Sequence, residues 1–131
     1  MATVFTKILD GELPGHFVTR DDQAAAFLSI NPISEGHTLV VPTAEVDHWL
    51  DLPPATNQHL MSMAQRIGAA QMRVFSPDRV GLMIAGFEVP HVHVHVLPMA
   101  SMADMDFANA ATSVDHGRLA AIARDLAAAL D

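Results

Sequence analysis

The chain contains no cysteine, and only seven of its 131 residues are lysine or arginine. Without cysteine there can be no disulfide framework and no thiolate zinc site, which points to a reducing compartment. Seven cations stand against fifteen acids, for a net charge of −8. That balance argues against DNA or RNA as a partner, because binding a phosphate backbone rests on clustered positive charge. A single small anion stays possible, held by backbone N–H groups and imidazolium. Long hydrophobic runs are also missing: nothing approaches the roughly 20 apolar residues of a membrane span. The first seven residues lack the basic segment and apolar stretch of a signal peptide. The expectation is a soluble, cytoplasmic protein. There is no internal repeat or linker, so residues 1–131 read as one domain with one core.

Half of the residues are hydrophobic, as in a globular chain, and eight are histidine. Three of the eight alternate through one apolar run, His91-Val92-His93-Val94-His95-Val96-Leu97-Pro98. In an extended strand, neighbouring side chains point to opposite faces, so the valines face a core and the imidazoles share the other side. A solvated strand would mix Thr, Lys and Glu there rather than repeat imidazole. Metal binding remains an alternative. At about 3.3 Å per residue His91 and His95 lie roughly 13 Å apart, so one ion would take two histidines and need ligands from elsewhere. The reading that best uses the row is covalent or acid–base catalysis on an anionic substrate, with a middle histidine attacking and its neighbours orienting and discharging it.

The remaining pattern is an alternation of short strands with two helices. Residues 4–10 read as a short helix or turn, and Gly11-Glu12-Leu13-Pro14-Gly15 as turn chemistry. Residues 16–20 and 25–29 flank Asp21-Asp22 as a hairpin, and a third strand over 36–41 is closed by Pro42. Asn31-Pro32 supplies the turn before it. Residues 53–74 carry Leu60, Met63, Ala64, Ile67, Gln71 and Val74 at helical spacing, with Pro53-Pro54 suited to a first turn. Residues 80–85 and 91–97 complete five strands, and the paired runs predict an antiparallel meander with Val92, Val94 and Val96 against the helix. Residues 99–114 lack periodicity and read as a loop or weak helix near the mouth of the site, with methionines filling space. Residues 115–131 form a final helix, capped by Asp115, with Leu119, Ile122, Leu126 and Ala129 on one stripe.

The histidine run resembles the His-φ-His-φ-His-φ-φ signature of the histidine-triad (HIT) superfamily. Gly36-His37-Thr38-Leu39-Val40-Val41-Pro42 resembles its second hallmark. The order of elements from Phe5-Thr6-Lys7-Ile8-Leu9-Asp10-Gly11-Glu12-Leu13-Pro14 onward is similar to Hint-type members over about residues 4–98, leaving 99–131 as a C-terminal extension. The resemblance implies an α+β fold: a five-stranded antiparallel sheet with a main helix and a C-terminal helix. It also implies a homodimer whose sheets join into ten strands. The implied activity is binding of a purine nucleoside monophosphate, with hydrolysis or transfer at the α-phosphate and no cofactor.

By the same resemblance, His93 would attack the α-phosphorus to give a nucleotidyl-histidine. His95 would hold the phosphate or pass a proton to the leaving group, His37 would sit near that group, and the carbonyl of His91 would fix the His93 tautomer while its side chain supports the site. Phe5, Ile8, Phe27, Ile30 and Leu39 match positions that sandwich the base, although as a bare apolar pattern they read as core. Ser29 stands where an acidic or amide residue grips the ribose, with Asn31 as a possible substitute. Phe87 stands where a glutamine would touch the phosphate region, in a shortened loop, and Glu88 beside it reads as a solvated residue because a carboxylate repels phosphate. Thr3 and Thr6 occupy the places of cysteines that bind a structural zinc in some relatives, so no such zinc, and no metal, is expected. His16, His48, His59 and His116 receive no role, though His48 could rim the site. The favoured function is hydrolysis of nucleotide conjugates, phosphoramidates above all. The alternatives are a nucleotide-binding interaction protein with little turnover, a dinucleoside polyphosphate hydrolase and a metal-dependent hydrolase.

Overall fold

Thr3 starts the first helix: its hydroxyl accepts the Thr6 backbone N–H, one of the donors a helix start leaves unpaired, and α1 runs over Val4–Leu9. The computed structural model describes residues 2–130. Strands β1 (Phe17–Arg20) and β2 (Ala24–Leu28) form the expected hairpin, its turn closed by Asp21 Oδ1 accepting from the N–H groups of Gln23 and Ala24. Then come β3 (Thr38–Pro42), α2 (Pro54–Phe75), β4 (Arg79–Met83), β5 (Val94–Met99) and α3 (His116–Ala129). The architecture is therefore α+β, with one five-stranded antiparallel sheet, a main helix and a C-terminal helix.

The strands do not form a simple meander. Their order is β1-β2-β3-β5-β4, so the last strand enters between β3 and β4 and leaves β4 at the edge. Burial explains the exchange. All six residues of β5 are buried and require a strand on each side, whereas β4 is only partly covered. The last strand also begins at Val94 rather than at His91. The Val92 N–H bonds to the Val46 carbonyl at 2.7 Å and the His91 N–H to the Val89 carbonyl, so the backbone of 91–93 is held by loops outside the ladder.

The alternation read from the sequence survives this displacement. Val92, Val94 and Val96 pack with Leu60, Ile67 and Leu126 on the helix-covered face. Phe5, Phe27 and Leu39 form a second apolar cluster with Leu9, Ala25 and Val41, and the histidines border it through ring contacts with Phe5. Gln71, the one polar residue on the apolar stripe of α2, is fully buried. Its Nε2 donates to the carbonyls of Gly36 at 2.9 Å and Val96 at 3.0 Å, tying α2 to the approach to β3 and to β5. Asp115 caps α3 by accepting from the N–H groups of Gly117 and Arg118, and Leu119, Ile122 and Leu126 face inward. Among the described residues no helix is long and apolar enough to cross a membrane.

Gly36 sets the entry to β3 and thereby the place of His37. Its φ of +92° belongs to the region that side chains strain, and an added Cβ would lie 2.5 Å from Cε2 of the Phe75 ring. Gly36→Ala is expected to cost about 2–4 kcal/mol, from backbone strain plus overpacking. Urea unfolding measures it, and an unchanged midpoint at unchanged slope would refute the expectation.

Candidate active site

His91, His93 and His95 leave the central strand region on one side, but they are not equivalent. His91 is fully buried behind the cavity. Its Nε2–H donates to the Pro42 carbonyl at 2.8 Å, and its Nδ1 receives the Thr3 hydroxyl at 2.7 Å. Burial, first of all, lowers its pKa below the ordinary histidine value, consistent with a neutral ring held at both nitrogens. Thr3, which also donates its backbone N–H to Glu45, thus couples the start of α1 to the histidine row. Thr6 belongs to the same cap.

His93 donates Nδ1–H to the His91 carbonyl at 2.7 Å, which leaves Nε2 as the ring's second, cavity-side nitrogen. Its ring stands edge-on to Phe5 at 5.0 Å and to His95 at 4.9 Å between centroids. Packing on two sides fixes the ring plane, as a positioned nucleophile needs.

The proton on His95 can be traced from the backbone. Ile33 N–H donates to His37 Nδ1 at 3.1 Å, so His37 carries its proton on Nε2. That nitrogen lies 3.0 Å from His95 Nδ1, which must accept, and the neutral His95 ring therefore bears its proton on Nε2. Burial, with the neighbouring rings adding to it, lowers His37 to about 3 and His95 to about 4, so both are neutral at pH 7. His95 Nε2 is buried without a hydrogen-bond partner among the described residues. An unsatisfied donor of this kind costs free energy unless something accepts from it. Phe107, in a short helical turn after β5, covers the ring at 4.8 Å.

A cavity of about 490 Å³ opens beside these rings. His37, His93 and His95 line it, and so do seven of the eight residues assigned to substrate: Phe5, Ile8, Phe27, Ser29, Ile30, Asn31 and Leu39. Phe5, Phe27 and Leu39 are buried, whereas Ile30 is exposed at the mouth. Asn31 donates its side-chain amide to the Ala111 carbonyl, and Ser29 Oγ accepts the Asn31 N–H at 3.1 Å. Phe87 is placed elsewhere: it is 97% exposed and is not part of the cavity wall. His48 likewise is not in the wall.

Four further wall residues that bear on the chemistry were not assigned to the cavity from sequence. Glu88 does not simply point to solvent, since its Oε2 lies 3.0 Å from His93 Nε2. Phe107 reaches His95 from the C-terminal extension. His16 and His116, a hundred residues apart, meet at 3.0 Å on the rim. Burial and then the His116 charge lower the pKa of His16. His59, by contrast, pairs with Asp21 at 2.8 Å near the hairpin turn. Only the position of Glu88, five residues before His93, was a local signal.

Glu88, His93 and His95 each bring one ligand-type atom within 4.8 Å of the others. Their proton arrangement does not suit a cation. His95 Nδ1 is occupied by the His37 proton and Nε2 carries its own, so that ring presents no free lone pair. A buried N–H beside the cavity-side nitrogen of His93 fits an anionic oxygen better.

A family model for the HIT domain matches residues 10–102. An uncharacterized HIT-like protein of Borreliella burgdorferi is 37% identical over 102 residues, covering 72% of this chain and 73% of the relative. The asymmetrical bis(5'-nucleosyl)-tetraphosphatase of Schizosaccharomyces pombe is 32% identical over 110 residues, covering 79% of this chain and 60% of that enzyme. Among solved structures, a Hit-like protein from Bartonella henselae superposes with a TM-score of 0.86 at 27% identity, over 98% of this chain and 96% of that one.

Proposed function

The chain belongs to the HIT domain family, and on that premise we propose that it is a nucleotide-binding hydrolase acting at the α-phosphate of nucleotide conjugates through a nucleotidyl-histidine intermediate. The observation that carries this reading is the proton order of the rings: Nε2 of His93 is fixed toward the cavity beside an unspent N–H on His95. The apolar walls made by Phe5, Ile8, Phe27 and Leu39 suit a base, with Ser29 and Asn31 at the ribose. His93 Nε2 attacks the α-phosphorus and the bond to the leaving group breaks, while the His95 Nε2–H donates to a phosphate oxygen and the departing group takes a proton from solvent. His37 holds His95 in that tautomer by donating to its Nδ1. Water next attacks the phosphorus, the N–P bond breaks, AMP leaves, and the proton shed by water returns to solvent. His91 positions the nucleophile through its carbonyl. No metal or cofactor enters any step.

Among the described residues the wall of the cavity includes no lysine or arginine, while Glu88 supplies a carboxylate. A polyphosphate leaving group would bring several negative charges with no counterion to meet them. An amine leaving group meets no such penalty, so phosphoramidates of a purine nucleotide are the favoured class. Wild-type protein is expected to release AMP from an adenosine phosphoramidate in the presence of a chelator. Absence of both release and AMP binding would overturn the reading, and loss of activity with chelator would favour a metal-dependent hydrolase. Binding of AMP with no release would leave the second reading, an interaction protein, which the Glu88 contact to His93 favours. The expected compartment is the cytoplasm.

The active form is proposed to be a homodimer. Strand β4 is an edge with unpaired backbone groups, and Leu82 on it is 41% exposed beside Met61 and Met72 of α2. Two copies meeting edge to edge at β4 would build one ten-stranded sheet. Light scattering is expected to give a mass near twice 14.1 kDa, reduced to the monomer by Leu82→Arg. A monomeric wild type at micromolar concentration contradicts the proposal.

A further inference from the structure

Among the described residues His93 makes two hydrogen bonds, and in both its partner is an acceptor. Nδ1 faces the carbonyl of His91 at 2.7 Å and Nε2 faces the carboxylate of Glu88 at 3.0 Å. A carbonyl has no proton to give, and neither has an ionised carboxylate, so both bonds exist together only when each ring nitrogen carries hydrogen. In this arrangement the ring has no lone pair with which to attack. The carboxylate also stands on the cavity side of Nε2, where a phosphate group must come to be attacked.

We propose that Glu88 is an internal stand-in for the substrate's phosphate, holding His93 in a capped state and setting the affinity of the site for phosphate-bearing ligands. This rests on the reading of His93 as the nucleophile. The cap can leave. Glu88 is about half exposed, and it follows Gly86, whose φ of +93° turns a segment that belongs to neither β4 nor β5. When an anionic phosphate oxygen arrives, it replaces one charge-assisted bond with another, and Glu88 swings to solvent. The proton on Nε2 leaves with the carboxylate or passes to a phosphate oxygen, and either route frees the lone pair for attack.

The orphaned N–H of His95 supports the assignment. A phosphate has oxygens enough to satisfy both His93 Nε2 and His95 Nε2, whereas Glu88 meets only the former. The substitute is therefore incomplete, and the ligand it mimics has something to gain by displacing it. Burial alone would raise the pKa of Glu88, but its backbone hydrogen bond and then His93 outweigh that and lower it, so it is an anion at neutral pH.

The test uses the ligand-free protein and inorganic phosphate, so that it does not depend on turnover. Nitrogen NMR of the imidazole rings at pH 7 is expected to show His93 with hydrogen on both nitrogens in wild type and a bare Nε2 in Glu88→Gln. Phosphate, followed on the same resonances, is expected to bind the variant about fivefold more tightly. A bare Nε2 in the wild-type protein, or equal phosphate affinities for the two proteins, overturns the proposal. Failure of AMP release with these two results intact would instead count against the hydrolase reading alone.

Discussion

Replacing His93 by alanine is expected to reduce AMP release from an adenosine phosphoramidate by at least about a thousandfold, because removal of a covalent nucleophile leaves only binding and charge stabilisation. Nucleotide binding should persist, since Phe5, Phe27 and Leu39 on one side and the His95 N–H on another remain in place. The substitution also removes a buried ring that packs on Phe5 and His95, so the variant loses about 2–4 kcal/mol of stability by the usual cost of a core truncation. Lost turnover could then reflect lost fold. His93→Gly with added imidazole separates the two: a free imidazole entering the space should restore part of the rate by attacking in place of the side chain. Full activity in His93→Ala, or a folded His93→Gly that imidazole leaves inert while it still binds AMP, would remove His93 from the role of nucleophile.

How much of this was readable in advance depended on whether a contact was local. Alternation of His and Val needs only the period of an extended chain, and it places Val94 and His95 on opposite faces whichever neighbour the strand takes. The stripe on α2 and the Asp115 cap of α3 are likewise decided within a few residues. The place of β5 between β3 and β4 is not, because any neighbour can complete a ladder and only the competition among all strands selects one. Nor could spacing reveal that His16 meets His116 or that Phe107 covers His95, since the chain folds back from its C-terminal extension to make both contacts. Glu88 and Phe87 show how narrow the margin is. The two are adjacent, yet the turn at Gly86 sends the carboxylate to His93 and the phenyl ring to solvent. A charge argument alone favours solvent for Glu88, and it omits the proton on His93 that makes the contact attractive.

Acid should unfold this protein through the same relay that prepares it for catalysis. His37 and His95 titrate at about 3 and about 4 in the folded chain, against an ordinary histidine value of 6.5. Below pH 6.5 the unfolded chain therefore binds protons that the folded chain refuses, so stability is full above pH 6.5 and falls as pH drops toward 4. Each ring contributes a slope of up to about 1.4 kcal/mol per pH unit in that window. Geometry gives the same sign. A second proton on His37 would face the Ile33 N–H, and a second proton on His95 Nδ1 would face the proton already on His37 Nε2. Asp21 and Glu35, whose pKa values are lowered, add acid sensitivity only nearer their own range, so the interval from pH 6.5 to 5 isolates the histidines. His91 and His16 are lowered too and act in the same direction. Urea midpoints are expected to fall steadily across that interval, with a shallower fall in His37→Asn, which removes one refusing ring. Midpoints that stay level in wild type would mean that the relay takes up protons without strain, and would undo the proton order that leaves the His95 Nε2–H free for a phosphate oxygen.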